Sequence, residues 1–162
     1  MGAAYNHLGQ CVTDLDRSRR FYVEVFDFTV EREIQPPDDP SAKLLGLAPP
    51  IGMTACYLRR DGLVLELLHF AGAGAGPSPF AERAMNDPGL THLSFSVDDI
   101  PATCELVRAH GGEVLDETDI GLAIFVRDPD GQLIELLPMS YREHLDAEAA
   151  DPDAADPKPS ET

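Results

Sequence analysis

Two histidines and two glutamates occupy matching places in the sequence, at His7, Glu66, His92 and Glu135. The segment that begins at His7 repeats in the one that begins at His92, with His, Leu, Val and Asp in register. The segment around Glu66 (DGLVLELL) repeats around Glu135 (DGQLIELL) in the same chain order. An ordered pair of repeats indicates two copies of one supersecondary unit. Each copy opens on a histidine and closes on a glutamate.

These four side chains point to metal chemistry. Both glutamates lie in strongly apolar strand-like runs, where an unpaired charge is costly. Strand alternation places small residues on the face of each histidine, Gly9 and Cys11 in one copy and Ser94 and Ser96 in the other, which suggests a cavity. Two imidazoles and two carboxylates make a mixed nitrogen and oxygen site that suits a divalent first-row metal.

The elements that must position these residues can be predicted from periodicity and turn signals. Each copy is predicted as a strand, a helix and three further strands, a βαβββ module, which makes the fold class α+β. The first module spans about 5–70 and the second about 90–138, and the segment 71–89 links them. The predicted elements are strands at 7–13, 28–34, 51–59, 63–70, 90–97, 113–117, 121–127 and 132–138, with helices from Asp14 to about Phe26 and over about ten residues before Gly111.

The remaining segments have distinct compositions. The Pro-rich stretch 35–50 absorbs the greater length of the first module. Glycines in 71–77 predict a mobile loop, which could close over the site, rather than a nucleotide site. Residues 1–142 are predicted to form one domain. Residues 143–162 are an acidic Ala-, Asp- and Pro-rich tail that we expect to be disordered.

Charge and cysteine usage exclude several classes of protein. The chain has 29 acidic residues against 12 basic ones, a net charge of -17, so nucleic acid and anionic membranes are poor partners. No apolar run approaches the ~20 residues of a membrane helix, and the N-terminus lacks the apolar stretch of a signal peptide. The three cysteines lack metal-type spacing and are typical of reduced thiols. We therefore expect a cytoplasmic protein.

With these motifs in register, residues 5–138 resemble the vicinal oxygen chelate superfamily, which includes glyoxalase I, bleomycin-resistance proteins, methylmalonyl-CoA epimerase, extradiol dioxygenases and fosfomycin-resistance proteins. The resemblance implies two βαβββ modules that form an incomplete barrel around one divalent metal (Zn, Ni, Co, Mn or Fe). It implies that His7, Glu66, His92 and Glu135 are the metal ligands. A homodimer is expected as well, and the superfamily includes both sites formed within one chain and sites shared between two subunits, so that both arrangements stay open.

The resemblance further implies an isomerase, epimerase or lyase that moves a proton next to a carbonyl through a metal-bound enolate. Glu66 and Glu135 would be its catalytic carboxylates, and its substrate a small carbonyl or thioester compound. The sequence at residues 65–69 and 89–100 is similar to that of the epimerase, whereas the sequence DPDG at residues 128–131 is similar to that of glyoxalase I. Cys11 and Phe70 stand where glyoxalase I usually has an Arg and an Asn that serve glutathione, which speaks against glutathione.

Two other functions stay open. One is an Fe(II)-dependent extradiol-type dioxygenase, which uses two His and one Glu and leaves three metal positions free. The fourth ligand at Glu66 would close one of these positions. The other is a small-molecule-binding resistance protein without catalysis. Such superfamily members usually lose the ligands, whereas this chain keeps all four.

Overall fold

The computed structural model describes residues 2–72 and 84–150. Most of the predicted glycine loop 71–77, and the last twelve residues of the predicted tail, lie outside the described residues. Within the part described, no helix combines the length and apolarity needed to span a membrane.

The first module is a four-stranded sheet with two helices. Asp14 caps α1 by accepting a hydrogen bond from the Arg17 amide at 3.0 Å, as the sequence predicts. In the sheet order β1-β4-β3-β2, β1 runs parallel to β4 and the other pairs are antiparallel. The elements are β1 (Leu8–Cys11), α1 (Leu15–Phe26), β2 (Thr29–Ile34), α2 (Asp38–Leu45), β3 (Met53–Arg60) and β4 (Leu63–Phe70).

The second module repeats this topology. Its sheet has the order β5-β8-β7-β6, again with the first and last strands parallel. Asp99 caps α3 by accepting from the Ala102 amide at 2.8 Å. The elements are β5 (Leu93–Val97), α3 (Ile100–Ala109), β6 (Glu113–Val114), a 3₁₀ turn (Asp116–Thr118), β7 (Ile124–Arg127), β8 (Leu133–Pro138) and α4 (Met139–Ala150). The two sheets of four strands form no closed barrel among the described residues, and the α+β class of two βαβββ modules is confirmed.

Three segments differ from the prediction. The Pro-rich stretch 35–50 contains α2, whose first residue, Asp38, accepts hydrogen bonds from the amides of Ile51 and Gly52. The strand predicted at 113–117 ends at Val114, because a 3₁₀ turn follows. Residues 143–150 continue α4 rather than lying disordered. Alanine and glutamate favour helix, and α4 lies against β5 and β8.

The two modules share one apolar core. Helix α1 buries Phe21, Tyr22 and Phe26 against both sheets, and all three side chains are at most 3% exposed. The ring of Phe26 stacks on Phe95 of β5 with the centroids 4.5 Å apart. Such contacts between a helix of one module and a strand of the other hold the modules in one orientation.

A buried polar network joins the modules at the turn between β7 and β8. Asp128, 3% exposed, accepts hydrogen bonds from the Tyr22 hydroxyl at 3.0 Å and from the Gln10 side-chain amide at 2.5 Å. Its other oxygen accepts from the backbone amides of Asp130 and Gln132. Burial raises the pKa of Asp128, and burial followed by the Asp128 charge raises the pKa of Tyr22 well above 10.0.

Asp130, in the same turn, also reaches into the first module. Its carboxylate accepts from Ser18 at 2.9 Å, pairs with Arg17 at 2.9 Å and accepts from the Thr13 hydroxyl. The DPDG turn is therefore an inter-module clamp as well as a hairpin turn.

We expect Asp128→Ala to lower the free energy of unfolding by at least about 2 kcal/mol, because four donors lose their buried acceptor. Asp119→Ala is the matched control, since Asp119 is exposed and, among the described residues, its carboxylate accepts a hydrogen bond only from the Gly121 amide of its own turn. Its effect should stay below about 1 kcal/mol. Urea unfolding followed by circular dichroism measures both. Equal effects would contradict the clamp.

The raised pKa of Asp128 also predicts a pH dependence. Ionisation of Asp128 costs the folded state free energy that the unfolded chain, titrating near 3.8, does not lose. The cost is absent below that pH and complete above the raised pKa, and it disappears in Asp128→Asn. Relative to Asp128→Asn, the wild type should therefore gain stability as the pH falls from about 7 towards 4. A pH-independent difference in unfolding free energy would contradict this.

Candidate functional site

The first histidine and glutamate meet because β1 and β4 are parallel neighbours. Gly9 lies opposite Glu66 in the register, and His7 lies two residues before Gly9. The Nε2 atom of His7 is 3.0 Å from Oε2 of Glu66. Glu66 is 8% exposed, and with Asp128 it is one of two buried acidic residues in the part of the chain that the structure describes.

The second module forms the same pair. Ser94 of β5 lies opposite Glu135 of β8, and His92 Nε2 is 3.6 Å from Glu135 Oε2. This carboxylate is more open than its counterpart, with 26% of the side chain exposed. The Ser94 hydroxyl donates to Glu135 Oε2 at 2.7 Å, a contact that Gly9 cannot make in the first module.

Both histidines turn Nε2 to the glutamate and engage Nδ1 with the preceding residue. Nδ1 of His7 lies 2.6 Å from Oδ1 of Asn6, and Nδ1 of His92 lies 2.9 Å from Oγ1 of Thr91. A hydrogen bond at one ring nitrogen orients the ring and fixes which nitrogen is free to bind a metal. This role was not predicted from the sequence, although a polar residue precedes each histidine, Asn6 in one module and Thr91 in the other.

The third strand of each module adds an aromatic neighbour that the sequence analysis also missed. Tyr57 lies opposite Glu66 and makes a T-shaped contact with His7, with the ring centroids 5.9 Å apart. Phe125 lies opposite Glu135 and makes a T-shaped contact with His92, with the ring centroids 5.4 Å apart. Burial, followed by a hydrogen bond with the Glu66 carboxylate, raises the pKa of Tyr57. The two pairs therefore share a backbone frame but differ in chemistry.

The structure brings the four predicted ligands together in two pairs. Each pair belongs to its own sheet, and among the residues described no group of three or more His, Cys, Asp or Glu side chains is placed to hold one ion. The union of the two pairs at a single metal stays a prediction.

The donor atoms of each pair are of the right kind and spacing for a divalent ion. Ligands at about 2.0–2.2 Å from one ion lie roughly 3.0–3.5 Å from each other. The distances of 3.0 Å and 3.6 Å in the two pairs are close to this range. Each pair offers one imidazole nitrogen and one carboxylate oxygen, the donor types of the predicted metals.

The sequence model of the Glyoxalase/Bleomycin resistance protein/Dioxygenase superfamily matches residues 4–136. The chain belongs to this superfamily. A lactoylglutathione lyase of Haemophilus influenzae is 32% identical over 131 residues, which cover 78% of this chain and 85% of that protein. A solved structure of Leishmania major glyoxalase I, described as trypanothione-dependent, has a TM-score of 0.63 and 27% identity, and the match covers 92% of this chain and 96% of that one.

Other superfamily members are longer than this chain. A putative lactoylglutathione lyase of Brassica oleracea is 30% identical over 137 residues, which cover 81% of this chain but 43% of that protein.

The structure also describes the surroundings of Phe70 and Cys11 in this chain. Phe70 is buried beside Ala42 and Ile51 in a small core under α2, and partial burial raises the pKa of the Cys11 thiol. Cys11 therefore lacks the features of an activated thiolate.

Proposed function

We propose that the protein is a divalent-metal-dependent lyase or isomerase that moves a proton beside the carbonyl of a small molecule. The observation that carries the proposal is the repeated pair His7–Glu66 and His92–Glu135, each at ligand spacing. Membership of the glyoxalase superfamily and relatives named lactoylglutathione lyase support the same reaction class.

The two pairs would meet across two copies of the chain. β1 and β5, which follow the two histidines, are each the end strand of their sheet, so among the described residues each has one edge without a neighbouring strand. Pairing β1 of one copy with β5 of another would set the His7–Glu66 pair of the first against the His92–Glu135 pair of the second. The arrangement is a two-fold dimer with two sites, since the reciprocal contact forms as well.

The four side chains would hold the ion, which can be Zn, Ni, Co, Mn or Fe. A divalent ion bound there would polarise a carbonyl oxygen and acidify the neighbouring C–H. The carboxylates then have distinct roles. Glu66 is buried against His7 and Tyr57, which favours a fixed position. Glu135 is more exposed, which favours it as the base that removes and returns the proton.

The expected substrate differs from a glutathione adduct. Phe70 belongs to an apolar core and Cys11 carries no charge, so neither offers the polar contact expected of a glutathione site. A small carbonyl compound or thioester without the tripeptide fits these residues better. Because the chain has a net charge of -17, an anionic substrate would need a positively charged side chain close to the site in order to bind.

His7→Ala and His92→Ala should each lose Co²⁺ binding, measured by visible absorbance and by elemental analysis after dialysis. His69→Ala is the control. His69 lies on the same strand, β4, but three residues after Glu66, so its side chain is on the opposite face of the sheet. Its Co²⁺ content should equal that of the wild type. Unchanged metal in both site variants would overturn the proposal.

Co-expression of the same two variants tests the shared site. A mixed dimer of His7→Ala and His92→Ala contains one intact site and one doubly altered site. Random assembly should therefore restore about one quarter of the wild-type Co²⁺ content. A site within one chain would stay empty in every mixture, so the absence of any recovery would contradict the dimer arrangement.

Glu135→Gln should slow solvent-deuterium exchange into a carbonyl substrate by about 10²–10⁴-fold, because the amide cannot accept the proton. Glu113→Gln is the control, since Glu113 lies on β6 and is paired with Arg127 outside the site. Exchange is followed by mass spectrometry under anaerobic conditions across a panel of small carbonyl compounds and thioesters. Turnover that requires O₂ and Fe(II), without anaerobic exchange, would instead identify the dioxygenase.

A further inference from the structure

The site face of the first sheet continues beyond Glu66 to a basic residue. In the register, Glu66 of β4 lies opposite Tyr57 of β3, and Tyr57 lies opposite Arg32 of β2. Directly opposed residues in a sheet project to the same face, so the three side chains form a row. The guanidinium carbon of Arg32 lies 4.2 Å from the centroid of the Tyr57 ring.

A β-bulge directs Arg32 to this face. Between Val30 and Arg32 the register advances by two residues on β2 but by one on β3, which makes Glu31 the extra residue. Val30 opposes Leu58, a core residue, so regular alternation would have turned Arg32 to the core side as well. Bulges re-aim side chains in this way and are frequent beside active sites.

Arg32 is also free of a carboxylate partner. Its neighbour Arg59 forms an ion pair with Glu31 through two hydrogen bonds. One joins an Arg59 guanidinium nitrogen to Oε2 of Glu31 at 3.2 Å. Within the described part of the chain, no carboxylate lies within ion-pair distance of Arg32, whose cation instead rests on Tyr57. In a chain of net charge -17, Arg32 therefore presents a cation without a carboxylate partner on the same sheet face as the buried Glu66.

A recess gives a ligand access to these groups. Its volume is about 300 Å³, and its walls include Tyr5, Asn6, Arg32 and Tyr57 together with the ion pair of Glu31 and Arg59. The side chain of Asn6, which lies in the wall of the recess, is hydrogen-bonded to the His7 ring. The recess therefore borders the pair of His7 and Glu66. The volume is at the small end of the range for ligand pockets.

We propose that Arg32, stacked on Tyr57, is the subsite for a substrate carboxylate, so that the substrate is a short carbonyl acid. A guanidinium matches a carboxylate with two parallel hydrogen bonds, and stacking on an aromatic ring holds its plane in place. Two strand spacings, about 10 Å between Cα atoms, separate Arg32 from Glu66. A compact acid of a few carbons can span the space between the two side chains. This inference rests on the proposed function for the role of Glu66.

The test measures pyruvate binding to the full-length chain by NMR at constant ionic strength, through the arginine Nε–Hε signals. Pyruvate should shift the Arg32 signal, and Arg32→Gln should weaken binding by about tenfold or more. Arg59→Gln removes the same charge from the same recess, but Glu31 already neutralises Arg59. It should change the affinity by less than about twofold. Methyl pyruvate, which lacks the charge, should bind alike to all three proteins.

Three outcomes would count against a carboxylate subsite at Arg32. Equal weakening by Arg32→Gln and Arg59→Gln, or the absence of a shift at Arg32, would overturn the subsite. Tighter binding of inorganic phosphate than of pyruvate at Arg32 would overturn the carboxylate assignment. A Co²⁺ titration of the same proteins tests the metal site independently, and Arg32→Gln should bind Co²⁺ as the wild type does. Failure of Co²⁺ to bind would therefore leave the pyruvate result to stand or fall by itself.

Discussion

The parallel pairing of the first and last strands in each module is the constraint on which the site depends. It brings His7, just before β1, next to Glu66 of β4, which lies 59 positions later in the chain (66 minus 7). Backbone hydrogen bonds set this register, and a slip of one residue would turn Glu66 to the opposite face. The same pairing in the second module places Glu135 beside His92.

The repeated frame carries two different chemical environments. Glu66 is enclosed and has a tyrosine across from it, whereas Glu135 has a serine hydroxyl and a phenylalanine. The burial of Glu66 favours a fixed carboxylate, whereas the more open surroundings of Glu135 leave its carboxylate room to move. The repeat therefore provides two similar pairs, and the residues on the neighbouring strands, Tyr57 in one module and Phe125 in the other, make them unequal.

The contact between the modules limits how the pairs can be arranged. The stacking of Phe26 on Phe95 and the buried Asp128 network tie the first helix and strand to the second sheet. Moving one module relative to the other would strip buried donors of their acceptor, which is costly. With that orientation held, β1 and β5 are the end strands of the two described sheets, the positions at which the proposed dimer would pair.

Local patterns in the sequence were enough to predict the modules, the capped helices α1 and α3, and the two histidine and glutamate positions, because strand alternation, caps and an internal repeat act over short distances. They did not predict α2, whose start depends on Asp38 contacting a segment thirteen residues away, nor the continuation of α4 over residues 143–150. The local patterns also did not predict the neighbours of the site. Tyr57 lies beside Glu66 because of the register between β3 and β4, and Arg32 lies beside Tyr57 because of the bulge in β2. Sequence by itself determined which residues could bind a metal; tertiary structure decided which of them touch, since register, bulges and packing between modules are not encoded in any local pattern.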